Sequence, residues 1–194
     1  MNYRPNPFAM SLRKNAPRII GVIVPDIVTH FFASILNGIE NMAIDNGYFV
    51  IITTSHESFE HEKRNIENLV NMRVEGIIAC LSQETTDFSH FAALKEINMP
   101  LILFDRVCLT DQFSSVIADG AQSAQMATQH LLDNGSKRVA FIGGANHLDI
   151  VKRRKHGYLE ALRDNRIPIE KELVVCRKID YEEGPVSYTH LRAH

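Results

Sequence analysis

Apolar residues along the chain follow two alternating periods. Ile19-Ile20-Gly21-Val22-Ile23-Val24 is a short run rich in β-branched residues. It predicts a strand buried on both faces. After Pro25-Asp26 the period changes. Phe31, Phe32, Ile35, Leu36, Ile39, Met42 and Ala43 fall at steps of three and four, the signature of one helix face. Asn46-Gly47 closes that helix with residues that tolerate left-handed backbone. Residues 48–53 then read as a strand. In the next cycle Ile66, Leu69, Val70 and Met72 mark a helix, with Glu60, Glu62, Lys63 and Arg64 expected on its wet side. Residues 74–81 read as a strand, 88–97 as a helix and 101–104 as a strand. A polar connection over 107–114 follows. Beyond it come a strand at 116–118, a helix at 121–133, a strand at 138–142, a helix at 151–165 and a strand at 173–176.

Strands alternating with helices of this length predict an α/β fold: a parallel sheet with right-handed crossovers and helices on both faces. The longest interruption, before Val116, is the natural seam between two sheets or two halves of one. Ligands of such sheets sit beyond the carboxyl ends of the strands. That directs attention to residues 25–32, 81–84, 105–106 and 143–149. Phe31 and Phe32 open a helix just after a strand. Neighbours on a helix point about 100° apart, so one belongs to the core and the other faces the cleft. An aromatic face there suits a sugar ring or a base. Asp105, directly after an apolar strand, can accept hydrogen bonds from ligand hydroxyls or cap a turn. Arg153 and Arg154 can fork onto a polar ligand or stand solvated.

Composition narrows the function classes. The chain has 194 residues, 45% of them hydrophobic and 23% charged, with a net charge of −2. That excludes collagen, a disulfide scaffold and a fully disordered tail. No apolar run approaches the ~18 residues of a membrane span, and residues 1–5 do not read as a secretion signal. The three cysteines, Cys80, Cys108 and Cys176, lie in separate segments without a CxxC pair. They read as reduced thiols of a cytoplasmic protein. Gly143-Gly144 belongs to no nucleotide-binding fingerprint, and a tight turn explains it. No HExxH, GxSxG or Walker pattern occurs, so neither an enzyme nor a bound cofactor or metal is expected. Charge is uneven, however. Residues 1–18 carry Arg4, Arg13, Lys14 and Arg18 and no acid, leaving a net −6 on the remainder. Such an arm is either a solvated terminus or a contact for a polyanion.

Tyr3-Arg4-Pro5-Asn6 with Ala9, Ser11 and Leu12-Arg13 resembles the linker of LacI/GalR-type transcriptional repressors. Residues 20–26 resemble the first strand of their sensor domain. The resemblance continues through Asn46-Gly47-Tyr48, Val74-Glu75-Gly76-Ile77-Ile78, Phe104-Asp105-Arg106, residues 116–120, residues 138–144, and Arg154 with Gly157-Tyr158. It covers residues 1–184. It implies a Rossmann-like periplasmic-binding-protein type I fold of two α/β subdomains around a cleft for a small molecule, usually a sugar or nucleobase. Residues 1–17 would be the end of a DNA-binding domain with its hinge helix. Residues 18–118 would be a nearly complete first subdomain, and 119–184 part of a second. Residues 185–194 do not continue the family pattern and are expected to be a non-native tail.

The resemblance also implies site residues. Phe31 and Phe32 would pack on the effector, and Asp105 and Arg154 would hold its polar groups. Cys80 falls at a lining position that often carries a polar residue. Leu148 and Ile150 sit where some purine-sensing members place polar contacts, a departure that argues against a purine effector; the expected effector is a carbohydrate. Asn6, Ala9, Leu12 and Arg13 would contact operator DNA from a hinge helix. A helix of about nine residues is too short to be stable alone, so its folding can couple to DNA binding. Leu12 matches the wedge that such repressors push between minor-groove base steps. Paired hinge helices imply a homodimer. The different-class alternative is a solute-binding protein for uptake, which has no use for the YRPN…SLR linker.

Overall fold

The structure is a computed structural model that describes residues 18–177. The expected hinge residues Asn6, Ala9, Leu12 and Arg13 and the tail 185–194 lie outside that range. The chain divides into two compact units, one reaching Val116 and the other starting at Ile117.

The first unit runs β1 (Ile19–Val24), α1 (His30–Asp45), β2 (Phe49–Thr54), α2 (Phe59–Asn71), β3 (Gly76–Ala79), α3 (Ser89–Glu96), β4 (Leu101–Phe104) and β5 (Ser114–Val116). Its sheet has the order β2-β1-β3-β4-β5, and every pairing is parallel. β2 and β3 flank β1 on opposite sides. Right-handed crossovers therefore send α1 and α2 to opposite faces. Phe32 and Leu36 of α1 pack with Val22, Val24 and Phe104. Ile66 and Leu69 of α2, with Phe91 and Leu94 of α3, pack with Ile19, Ile23, Ile77 and Leu103. The period-2 alternation of β1 thus feeds two cores. Gly21 lies between Ile19 and Ile23 for a steric reason. A Cβ there would stand 2.6 Å from Leu69 Cδ1, so its absence lets α2 settle onto the sheet.

In the second unit α4 (Gly120–Asp133), β6 (Phe141–Gly143), α5 (Asp149–Asp164), a 3-10 turn (Lys171–Leu173) and β7 (Val174–Cys176) follow in order. β6 and β7 pair in parallel. Val139, Tyr158 and Leu162 form the core here. The Tyr158 hydroxyl donates to the Val139 carbonyl at 2.8 Å, so burying the ring strands no polar atom. α4 and α5 meet at Gly157. A Cβ there would fall 1.9 Å from the carbonyl oxygen of Ala121.

The expected elements are all present, with shifted ends. β5 takes Ser114 and Ser115 out of the expected connection because pairing with Ile102 and Leu103 recruits them to the sheet. β6 starts at Phe141, since Arg138 is committed to Glu170 and the Val139 carbonyl to Tyr158. α5 starts two residues early, where Asp149 pairs with Arg153 in the first turn. One expectation is wrong in kind. Glu62, assigned to the wet side of α2, is fully buried. It lies four residues before Ile66 and seven before Leu69, on the apolar face.

Each helix ends on a left-handed residue. Gly47 (φ 72°) and Gly135 (φ 90°) serve α1 and α4 without strain, whereas Arg73 (φ 56°), Asn98 (φ 55°) and Arg166 (φ 57°) serve α2, α3 and α5. Two outcomes follow for urea unfolding. Gly157→Ala forces a methyl group against backbone and lowers stability by about 1–3 kcal/mol or more. Arg166→Gly relieves left-handed strain and raises it by up to about 1 kcal/mol. Unchanged midpoints would contradict both.

Candidate functional site

A sheet in which β1 lies between β2 and β3 has its switch point between β1 and β3, and the crevice beyond the carboxyl ends there is the natural binding place. In the first unit that edge is built from the segments after β1, β2, β3 and β4. Pro25 and Asp26 follow β1, and the Asp26 carboxylate accepts the Val28 amide at 2.8 Å, turning the chain toward α1. Phe31 and Phe32 then diverge. Phe32 is buried against Phe104, with ring centroids 6.4 Å apart. Phe31 stays 50% exposed and touches Phe32 edge-on at 5.2 Å.

Backbone strain gathers at the same edge. His56 (φ 51°) and Glu57 (φ 61°) follow β2, and Asp105 (φ 57°) follows β4, all left-handed without being glycine. Such residues persist only where the surroundings hold them. The Asp105 amide bonds to the Val116 carbonyl at 3.1 Å. Glu57 accepts the Gln83 amide at 2.6 Å and Arg106 Nη1 at 2.7 Å. Arg106 Nη1 also reaches the Leu81 carbonyl at 3.3 Å. Burial works against the Arg106 charge, but the Glu57 hydrogen bond and the nearby acidic groups outweigh it. Its pKa stands above the ordinary arginine value.

Beneath this pair lies a second one, cut off from solvent. The Glu62 carboxylate accepts the Ser82 amide at 2.5 Å, the Thr85 hydroxyl at 2.7 Å and His90 Nε2 at 2.9 Å. The Ser82 hydroxyl donates to Ser55 Oγ at 2.7 Å. The Phe59 ring stands edge-on to His90 at 5.2 Å. Ser82 and Arg106 fall within the segments expected at the strand ends, without an expected role of their own, whereas Glu57, Glu62 and His90 lie outside those segments. The available signal was Glu62 in register with Ile66 and Leu69, and His90 beside Phe91 and four residues before Leu94.

Cys80 is placed differently from the expectation. It is fully buried among Val22, Val24, Phe32 and Phe104, with no surface for a ligand. It serves the core in this structure rather than a lining. Burial pushes its thiol up to about 12. In the second unit Arg154 is exposed on α5, one residue after the Arg153–Asp149 pair. Leu148 is buried and caps α5. Among the described residues no group of three or more His, Cys, Asp or Glu side chains is placed to hold a metal ion. No helix among them is long and apolar enough to cross a membrane.

The sequence model of the periplasmic binding proteins and the sugar-binding domain of the LacI family matches residues 18–191, overlapping the segment expected to be foreign. The chain belongs to this family. Within it, catabolite control protein A of Priestia megaterium is 32% identical over 95% of this chain and 55% of its own length. The crystal structure of the transcription regulator CcpA of Lactococcus lactis superposes with a TM-score of 0.83 at 28% identity, over 90% of this chain and 64% of that one. The Cra transcriptional dual regulator of Pseudomonas putida, solved with fructose 1-phosphate, gives 0.72 at 25% identity, over 84% and 57%. The LacI-family chain thus spans about half the length of the curated relatives it matches. These relatives are transcription regulators rather than enzymes, and the parallel α/β fold is theirs.

The buried thiols supply a test. Burial also pushes Cys108 up to about 12, and the Glu62 charge adds to the effect. At pH 8, Cys80 and Cys108 should resist iodoacetamide until the chain is unfolded, while the partly exposed Cys176 reacts first. Peptide mass mapping after timed labelling reads this directly. Early labelling of Cys80 would remove it from the core.

Proposed function

We propose that the protein carrying this chain is a ligand-responsive, DNA-binding transcriptional repressor that senses a small carbohydrate. The observation that carries the reading is family membership across residues 18–191, joined to a parallel sheet whose switch point presents an exposed aromatic and a carboxylate. Phe31 would stack on the sugar ring, Asp105 would accept from its hydroxyls, and Arg154 would hold its polar groups. Phe32 and Cys80 would back the first unit's wall from the core. Asn6, Ala9, Leu12 and Arg13 would contact operator DNA, with Leu12 as the minor-groove wedge. The protein would act in the cytoplasm as a homodimer without a chemical step. Met42, Ile44 and Phe49, exposed across the turn from α1 to β2, are apolar surface available to a second copy.

That the relatives are transcription regulators supports a regulator over an uptake protein, and the fructose 1-phosphate bound by the Cra regulator supports a carbohydrate class. The test is calorimetry of the full-length protein against fructose 1-phosphate, cellobiose, D-xylulose and D-ribose, with gel shifts on the DNA upstream of its own gene. One sugar should bind saturably and change operator affinity. Phe31→Ala and Asp105→Asn should each weaken it about tenfold, the loss of a stacked ring or a charged acceptor. Leu12→Ala should loosen operator binding. Operator binding that ignores every sugar, or a Phe31→Ala protein that binds as well as wild type, would overturn the assignment.

A further inference from the structure

The segment after β3 is held in an unusual way. Two consecutive amides, Ser82 and Gln83, each donate to a different glutamate, Glu62 and Glu57. Both glutamates come from the segment that follows β2. Each carboxylate has a second partner from further along the chain: His90 on α3 for Glu62, and Arg106 after β4 for Glu57. The two pairs differ in solvation. The side chains of Arg106 and Glu57 are 19% and 28% exposed, whereas those of His90 and Glu62 are 4% and 0% exposed. A carboxylate in a dry site is tolerated only when its oxygens are fully engaged. Glu62 meets that condition with three donors, two of them from the segment 82–85.

Structural support for α2 or α3 does not require this arrangement. Ile66, Leu69, Phe91 and Leu94 already bind those helices to the sheet. A buried imidazole also leaves its Nδ1 with no hydrogen-bond partner, a cost that apolar packing would avoid. What the pair accomplishes is local: it fixes the backbone that leaves β3 on the switch-point side of the sheet.

We infer that Glu62 and His90 are positioning residues for ligand binding, which clamp the segment 82–85 from below through the Ser82 amide and the Thr85 hydroxyl. The inference rests on the effector reading for what the segment serves, while the clamp itself is testable without a ligand. Glu57 and Arg106 hold the adjacent amide at the rim. A ligand entering between β1 and β3 therefore meets a backbone already set in place, and the ordering cost is met during folding rather than at binding.

The experiment uses isotopically labelled full-length protein, amide exchange by NMR, and calorimetry with whichever sugar of the panel above binds wild type. Glu62→Gln keeps the side-chain shape but loses the charge and one acceptor. It should move the Ser82 amide proton upfield, speed its exchange about tenfold and weaken the sugar about tenfold, the loss of a charge-assisted bond. Thr85→Val, which removes one donor at nearly constant volume, should act in the same direction and serves if Glu62→Gln does not fold. Ile66→Val, on the same helix face, lowers stability without touching the clamp. It should change neither readout. A Ser82 amide unaffected in both clamp variants, or sugar affinity lost equally in Ile66→Val, would overturn the inference. If no sugar of the panel binds wild type, the effector reading falls, and exchange at Ser82 still decides whether the clamp exists.

Discussion

A carboxylate removed from water must find its solvation inside the protein, and Glu62 finds it in the backbone and side chains of the segment after β3. The apolar packing of α2 and α3 on the sheet places that carboxylate where the requirement can be met. α2 presents Glu62 inward beside Ile66 and Leu69, and Gly21, lacking a side chain, leaves room for Leu69. α3 brings His90 to the same oxygen that Thr85 uses. Removing either partner leaves a polar group of the other unpaired in a dry site, which is costly whatever replaces it. The edge of the sheet where a ligand would arrive is thereby coupled to the core that holds the sheet together.

Around this centre, strain and polarity are layered. The rim carries left-handed residues at His56, Glu57 and Asp105, and the Glu57–Arg106 pair spans the ends of β2 and β4. Phe31 stays half exposed on α1, edge-on to Phe32, which packs into the core behind it. A ring face after β1, a carboxylate after β4 and a hydrogen-bonded backbone after β3 thus share the carboxyl-end edge of one sheet, and the carbohydrate reading proposed above rests on that shared edge.

Much of the fold is legible in the sequence because buried parallel strands and amphipathic helices have different periods. The β1 run and the 3.6-residue repeat of α1 have few other readings. Short strands at the sheet edge are less legible. Ser114 and Ser115 have no strand-like character and join β5 only through pairing with β4. The candidate site divides the same way. Phe31, Phe32 and Asp105 announce themselves by position, being aromatic or acidic residues at strand ends. Glu62 and His90 do not, because a charged residue on a helix is ordinarily solvated. Only its register with Ile66 and Leu69 shows that it points inward. Cys80 illustrates the converse, since its place at the end of β3 reads equally as lining or core until the packing of α1 is known.

The contact between α4 and α5 bears on register. With Gly157 seated against the Ala121 carbonyl, neither helix can slide or roll past the other without backbone collision. The two helices therefore meet backbone to backbone at this crossing, with no layer of side chains between them. Such a crossing cannot be adjusted by rotamer changes, so the register of α5 on α4 is fixed by the one residue type that has no side chain to repack.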